Sequence, residues 1–532
     1  MWYKDAVFYE VYVRAFNDSD GDGHGDLVGL VEKLDYLEEL GITCLWLLPI
    51  YPSPLNDDGY DIANYYDIHP DYGNLDNFKT LIDAAHERGL RVITDLVLNH
   101  TSDQHPWFRA ARANRNSVFH DYYIWSDTDE KYADARIIFI DTEPSNWTWD
   151  EQAQQYYWHR FYASQPDLNY DNPNVRDEML KILSFWLDLG VDGFRADAVP
   201  YLIECEGTNC ENLPETHAYL KEVRTYMNEH YPDRVLLAEA NQWPEDVLPY
   251  FGDGTNEFHM GFNFPLMPRL YMALRKADRT SLEWIMGRTP KLNENTQWCI
   301  FLRNHDELTL EMVTEDERQW MWNEYAPDPR MKLNIGIRRR LAPLLDNDQS
   351  KIALMNSMLF TLPGSPIIYY GDEIGMGDNI WLPDRNGVRT PMQWSDDVNA
   401  GFTLASVQNT YSPIVDDEAY SPAKVNVAAQ QENPTSLYNV IRHMIAVRKQ
   451  YKAFGWGDFN WLEVGTKAVA AYIRNYQNEK VFVLNNLSDD QQQVKLPENE
   501  NGYIDLLTSQ GVSHGTLTLQ PYQYVWLIAK EE

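Results

Sequence analysis

The sequence predicts an α/β fold: a (β/α)8 TIM barrel with a subdomain inserted after strand 3 and an all-β sandwich at the C-terminus. Three observations carry that expectation. Short apolar and β-branched runs alternate with helical stretches through most of the 532 residues, the pattern of parallel strands joined by crossover helices. Eight such runs occur, the number that closes a barrel. From about residue 457 the helical stretches stop and closely spaced alternating strands take over.

Residues 6–13 read as the first strand and 27–40 as the helix after it. Residues 43–48 form a strand, 75–88 a helix and 91–98 a strand. A polar, aromatic stretch over 101–166 then breaks the rhythm, and it is too long for an ordinary βα loop. The alternation resumes with helix 174–189, strand 193–197, helix 215–230 and strand 235–239. Further strands are expected at 258–262, 297–302 and 366–370, with a helix at 436–450. A second insertion, 307–347, follows the seventh strand and carries Trp320, Trp322 and Tyr325, rings expected either to help seal the mouth of the barrel or, each taken alone, to pack. Strands at 468–473, 480–484 and 524–529 mark the last unit. The expected organisation is therefore a barrel over 1–100 and 167–455, an inserted subdomain over 101–166, a lid-like insertion over 307–347 and a β domain over 456–532.

Composition narrows the function. Lys plus Arg number 44 and Asp plus Glu 81, so the net charge is 44 − 81 = −37. A field of that sign repels phosphate backbones and anionic lipid, so neither nucleic acid nor a membrane is expected as a partner. No apolar run approaches the roughly 20 residues that span a bilayer. The first residues lack a basic n-region and an apolar h-region, so no signal peptide is expected. Four cysteines in so long a chain make no disulfide framework, and reduced thiols point to a cytoplasmic location. Self-association into a homo-oligomer is left open.

The chemistry is expected where barrel strands end at their C-terminal face. Those ends are polar: Asp95 to Asn99 and His100, Arg195 and Asp197, Glu239, and Asn304-His305-Asp306. Strand period two puts Arg195 and Asp197 on one face. An arginine beside a carboxylate holds it ionised, which suits a nucleophile. A glutamate ending an apolar strand has a raised pKa, which suits a general acid. Two carboxylates in those roles are what glycosidic bond cleavage needs. Each acid alone reads as well as a loop cap or ion pair; the set at successive strand ends does not. Metal catalysis is the rival for His/Asp clusters, but no His-x-His or His-Glu-x-x-His spacing is present.

These four strand-end segments, with Gly59-Tyr60-Asp61-Ile62, resemble the signature regions of the α-amylase family of glycoside hydrolases, and the resemblance covers essentially the whole chain. It implies Asp197 as nucleophile, Glu239 as general acid/base and Asp306 as transition-state stabiliser. It also implies Tyr60, Asp61, His100, Arg195 and His305 around the sugar that is cleaved. Arg389, in the loop after strand eight, reads either as helping to close the mouth over substrate or as a structural salt bridge. The longer strings, among them Glu211 to His217, Ala238 to Pro244, Arg303 to Met312 and Gly387 to Trp394, resemble the branch that isomerises maltose to trehalose by intramolecular glucosyl transfer. Hydrolysis of short α-linked oligosaccharides, as by an α-glucosidase, is the alternative. Asn263 stands where that branch is expected to carry histidine. No kinase extension of the type fused to some relatives is expected after the β domain, and no organic cofactor is implied.

Calcium is expected at two places. Asp18, Asp20, Asp22, the His24 carbonyl and Asp26 fall at positions one, three, five, seven and nine of an EF-hand-like loop, with Gly23 at the sharp turn. Position twelve is Gly29, so it is not a true EF-hand. The family resemblance implies a second site at Asn99, Asp167, Glu204 and the carbonyls of Tyr201 and Leu202. Both ions would be structural.

Overall fold

The structure is a computed structural model and describes residues 1–530; residues 531 and 532, the last two of the expected β domain, lie outside the described residues. Eight parallel strands close into a barrel: β1 (Phe8–Val11), β2 (Cys44–Leu47), β3 (Arg91–Val97), β4 (Gly193–Asp197), β5 (Val235–Ala238), β6 (Met260–Phe262), β7 (Gln297–Phe301) and β8 (Ser365–Tyr369). They follow chain order around the barrel, and β8 pairs with β1 to close it. All eight are buried except at Arg91, as expected for a sheet wrapped by helices.

Each of the eight expected strands is present, trimmed by up to a few residues. The expected helix 27–40 is two helices, Leu27–Glu32 and Leu34–Leu40, which meet at Lys33. Three helices of the β6–β8 region escaped the sequence reading: Leu266–Lys276, Thr280–Arg288 and Gln349–Thr361. In the last, every residue from Ile352 to Thr361 is buried. It has no polar face, so it shows no amphipathic period.

Within 101–166 lie the helix Pro106–Ala113 and a three-stranded antiparallel sheet of Trp125–Ser126, Gln155–Trp158 and Trp147–Asp150. Within 307–347 a small sheet of Leu308–Thr309, Gly336–Ile337 and Lys332–Leu333 accompanies the helix Glu315–Tyr325. That helix opens on a capping box between Thr314 and Glu317.

The C-terminal unit is a six-stranded sheet covered by the strand pair Gln492–Lys495 and Thr516–Leu519. Strand alternation divides its central residues. Val469, Ala471, Phe482, Leu484, Val525 and Leu527 pack beneath the strand pair. Ala470, Tyr472, Val481, Val483 and Trp526 point the other way and join the barrel core. Trp526 Nε1 donates to Ser357 Oγ at 2.9 Å, which fixes the sheet to helix Gln349–Thr361.

Candidate active site

The register of β3 against β4 sets Asp95 opposite Arg195 and Val97 opposite Asp197. Glu239 follows β5 directly, and its N–H donates to Ala196 O at 3.0 Å. Arg195 is therefore the hub. Its Nη1 lies 2.6 Å from Asp95 Oδ1 and also contacts Asp197 Oδ1, and its Nη2 lies 2.6 Å from Glu239 Oε1. One guanidinium thus holds three carboxylates, which removes the mutual repulsion that would splay them. Glu239 Oε2 accepts from the Ala198 N–H at 3.0 Å. Ala198 has a left-handed backbone, φ 52°, which turns that N–H back toward the site.

Burial is the largest influence on both acids. It pushes Asp197 up to about 6 although Arg195 opposes it. It pushes Glu239 up to about 7, again against Arg195. Arg195 does favour the ionised form of Asp197, as expected, but burial outweighs it and the net shift is upward. The order of the two groups still leaves Asp197 the stronger acid, ionised when Glu239 is still half protonated.

Asp306 is held differently. Burial favours its neutral form, but His305, Arg385 and Arg389 overcome that and hold it well below the ordinary carboxylate range. Its Oδ1 accepts from Arg385 at 2.9 Å and Arg389 at 3.1 Å, and its Oδ2 lies 3.2 Å from His305 Nε2. Tyr60 stacks on the His305 ring and its hydroxyl lies 2.8 Å from Nε2. His100 is buried with Nε2 free of any partner, and burial pushes its pKa down to about 3. It is a neutral imidazole in the pocket wall, with hydrogen-bonding capacity to spare.

The cavity above these groups is lined by Tyr60, His100, Asp197, Glu239 and Asp306. Both insertions roof it. Ile138, Phe139 and Phe161 come from the first, and Thr309, Glu311, Asn334 and Ile335 from the second. The two are joined over the mouth. Arg136 Nη1 meets Glu311 Oε2 at 2.8 Å, and Asn334 N donates to Asp141 Oδ2 at 2.7 Å.

Three sequence expectations are corrected here. Asp61 does not line the cavity. It is fully buried, and its carboxylate accepts from Ser53 Oγ and from the Asn56 and Asp57 N–H groups. It shapes the loop that presents Asp57, which does line the cavity and pairs with Arg385 at 3.0 Å. Arg389 sits behind Asp306, bound also to Asp58 and to His305 O, while Arg385 is the arginine in the cavity wall. Trp320, Trp322 and Tyr325 do not seal the mouth. Tyr325 donates to Tyr271 O and so fastens the second insertion to the body, while Trp322 donates to Gly336 O within the insertion. Asn263 is buried with Oδ1 unpartnered and lies outside the cavity lining.

The expected metal residues fall into two groups. Asp18, Asp20 and Asp22 present carboxylate oxygens within 4.8 Å of one another. Among the described residues no Lys or Arg pairs with them. Asp26 is not in that group. It caps helix Leu27–Glu32 by accepting from Gly29 N and also takes Ser19 N and Oγ. His24 Nδ1 accepts from Arg14 Nε. At the second place, Asn99 Oδ1, Asp167 Oδ2 and Glu204 Oε1 are all buried without a hydrogen-bond partner. Tyr201 and Leu202 are buried shortly before Glu204 in sequence, in and just after the turn Val199–Tyr201. Burial pushes Asp167 up to about 8, and burial together with Asp167 raises Glu204. Three orphaned oxygens brought together by the fold, two of them carboxylates, fit a hard cation.

Comparison with known proteins agrees with this geometry. The description "Alpha amylase, catalytic domain" matches residues 10–326 and 337–457. The chain belongs to the α-amylase family. The C-terminal unit matches the C-terminal domain of the α-amylase SusG over 469–525. Among curated members of the family, the trehalose synthase/amylase TreS of Mycolicibacterium smegmatis is 55% identical, over 100% of this chain and 93% of that protein. The protein of the same name from Mycobacterium tuberculosis is 57% identical over 99% and 90%. Among solved structures, the trehalulose synthase MutB of Pseudomonas mesoacidophila superposes with a TM-score of 0.80 at 28% identity, over 99% of both chains. The chain is thus an enzyme of a family that acts on glucosides. No helix among its described residues is long and apolar enough to cross a membrane.

Proposed function

We propose that the protein isomerises maltose to trehalose by intramolecular α-glucosyl transfer through a retaining double displacement. The observation that carries this reading is a pair of carboxylates on one guanidinium, ordered about 6 and about 7 in acidity, under a roof made by two insertions. The relatives named as trehalose synthases support trehalose as the product.

Glu239, protonated, gives its proton to the bridging oxygen of maltose as the Asp197 carboxylate attacks the anomeric carbon. The glycosidic C–O bond breaks and a glucosyl–Asp197 ester forms. Glucose leaves carrying the proton. It turns within the closed pocket, and Glu239, now a carboxylate, takes the proton of its anomeric hydroxyl. That oxygen attacks the ester, frees Asp197 and forms the α,α-1,1 bond. Two inversions give retention. Ionised Asp306 grips the hydroxyls of the glucosyl unit and favours its cationic transition state, with His100 and Tyr60 at the remaining hydroxyls and His305 buried behind Asp306. Water competes for the same ester, so transfer depends on the roof that keeps glucose in and water out.

Calcium belongs to the same reading as a structural ion, held by Asn99, Asp167 and Glu204 and by the Asp18, Asp20 and Asp22 loop. It fixes the root of the first insertion and supplies no chemistry. The four unpaired cysteines suit a reducing, cytoplasmic setting.

The test is incubation with maltose and chromatographic resolution of trehalose from glucose. Trehalose in clear excess is the expected result. Glucose as the dominant product from the outset would replace this reading with hydrolysis.

A further inference from the structure

Beneath the described acids, β1 contributes a carboxylate that the mechanism above does not use. Glu10 is fully buried near the C-terminal end of that strand. Its Oε1 contacts His305 Nδ1 and accepts from the His305 N–H at 3.2 Å. Its Oε2 is buried with no partner. Among the described residues, His305 is the sole basic side chain paired with it. The remaining charged and titratable groups near this pair are accounted for elsewhere. Asp372 pairs with Arg340, Tyr369 donates to Val388 O, and Arg389 Nε donates to His305 O rather than to the ring. Trp46 meets the ring edge-on and donates its own N–H to Asp95.

The protonation of His305 follows from its neighbours. Nδ1 faces Glu10 and Nε2 faces Asp306, and an ionised carboxylate only accepts. A neutral imidazole has one N–H and would turn a lone pair toward one of the two. Tyr60, whose hydroxyl meets Nε2 at 2.8 Å, can donate to that nitrogen in a neutral ring, but the Nε2 lone pair would then also face the Asp306 carboxylate at 3.2 Å. Only the imidazolium form gives both carboxylates an N–H donor, with the Tyr60 hydroxyl accepting beside Asp306. A glutamine at position 10 would accept the same two hydrogen bonds but bring no charge. From this geometry we infer that Glu10 is a positioning residue: its charge keeps His305 doubly protonated, and His305 in turn holds Asp306 ionised and aimed into the cavity. The proposal rests on the role given above to Asp306. The direction of the His305 shift agrees: burial lowers its pKa, but Asp306 and Glu10 overcome that and raise it to about 9.

The test uses the full chain labelled with nitrogen-15 histidine, the His305 signals being assigned by their loss in His305→Asn. In the unmodified protein both ring nitrogens should carry protons at pH 7.5. A neutral ring there overturns the proposal without any variant, and leaves the maltose reading untouched. In Glu10→Gln the ring should lose its proton at least one pH unit lower, and kcat/KM for maltose should fall roughly tenfold or more, the scale of a lost charge-assisted hydrogen bond. Glu10→Asp, which keeps the charge, should recover the His305 titration. A Glu10→Gln protein with an unmoved titration, or with a moved titration and unchanged kcat/KM, sinks the proposal. Trehalose formation by the unmodified protein, measured alongside, reports separately on the reaction itself.

Discussion

At the scale of single residues, the acidities of Asp197 and Glu239 predict the pH profile. The first half-reaction needs Asp197 ionised and Glu239 protonated. With Asp197 near 6 and Glu239 near 7, kcat/KM should rise as pH passes about 6 and fall as it passes about 7. That ratio reports the free enzyme, so these are the groups it should show. A profile flat from pH 5 to 9 would take the acid/base role from Glu239. Asp197→Asn should cut turnover about a thousandfold or more with little change in fold, since an amide is a poor nucleophile; circular dichroism and maltose assays on one deamidation-free preparation check both halves. The acids themselves were legible in the sequence because strand ends announce them. Their supports were not. Asp57 sits in the run Asn56-Asp57-Asp58-Gly59, which reads as a turn, and only the fold shows that Asp61 faces inward while Asp57 faces the cavity. Arg385 and Arg389 share one loop and both reach Asp306, so the sequence offered no ground for choosing between them.

At the scale of elements, the roof depends on contacts between two insertions far apart in the chain. Arg136 belongs to the first and Glu311 to the second, and Arg136 also binds Glu211 and the Tyr201 hydroxyl. Arg136→Ala should loosen the roof, admit water to the glucosyl ester and raise glucose relative to trehalose several-fold. An unchanged product ratio would mean that the pocket is sealed by Phe139, Phe161 and Ile335 without the latch. The aromatic residues of helix Glu315–Tyr325 behave otherwise. Tyr325→Ala removes a buried ring and a hydrogen bond to Tyr271 O, so it should cost about 3–5 kcal/mol of stability, as large aromatic truncations do, measured by denaturant unfolding. Trp320→Ala should leave the product ratio alone. The strands were legible because parallel barrel strands are short, apolar and bounded by turns. The helix Gln349–Thr361 was not, because burial on most sides erases the period that reveals a helix; Leu266–Lys276 does keep an amphipathic period, so its signal was present in the sequence and was missed.

At the scale of the whole molecule, the first insertion, β3 and the turn after β4 meet at Asn99, Asp167 and Glu204, and that junction carries two buried carboxylates that Arg160 offsets only in part. The isolated pair His100–Asp167 ties the start of the insertion to its end. The sequence located this junction only through family resemblance, since Asn99, Asp167 and Glu204 are scattered along the chain and have no local spacing to read. The fold brings them together, and three unpartnered buried oxygens then ask for a cation. The sign of the pH effect follows. Asp167 is raised to about 8 in the folded chain, against about 3.9 unfolded. The folded state without metal therefore holds that proton more tightly, and it loses stability as pH climbs between those two values. A bound cation needs the carboxylates deprotonated, so its stabilisation grows over the same window. Calcium at about 100 times its Kd should contribute about 2.7 kcal/mol. Thermal unfolding with calcium and with chelator, at pH 5.5 and pH 8, should thus show a higher Tm with calcium and a wider gap at pH 8. Glu204→Gln should shrink the gap by removing one ligand charge, and Asp20→Ala should shrink it further if the Asp18 loop also binds. A gap of the same size at both pH values, or none at either, would leave the orphaned oxygens to water and would remove calcium from the account of how the roof is anchored.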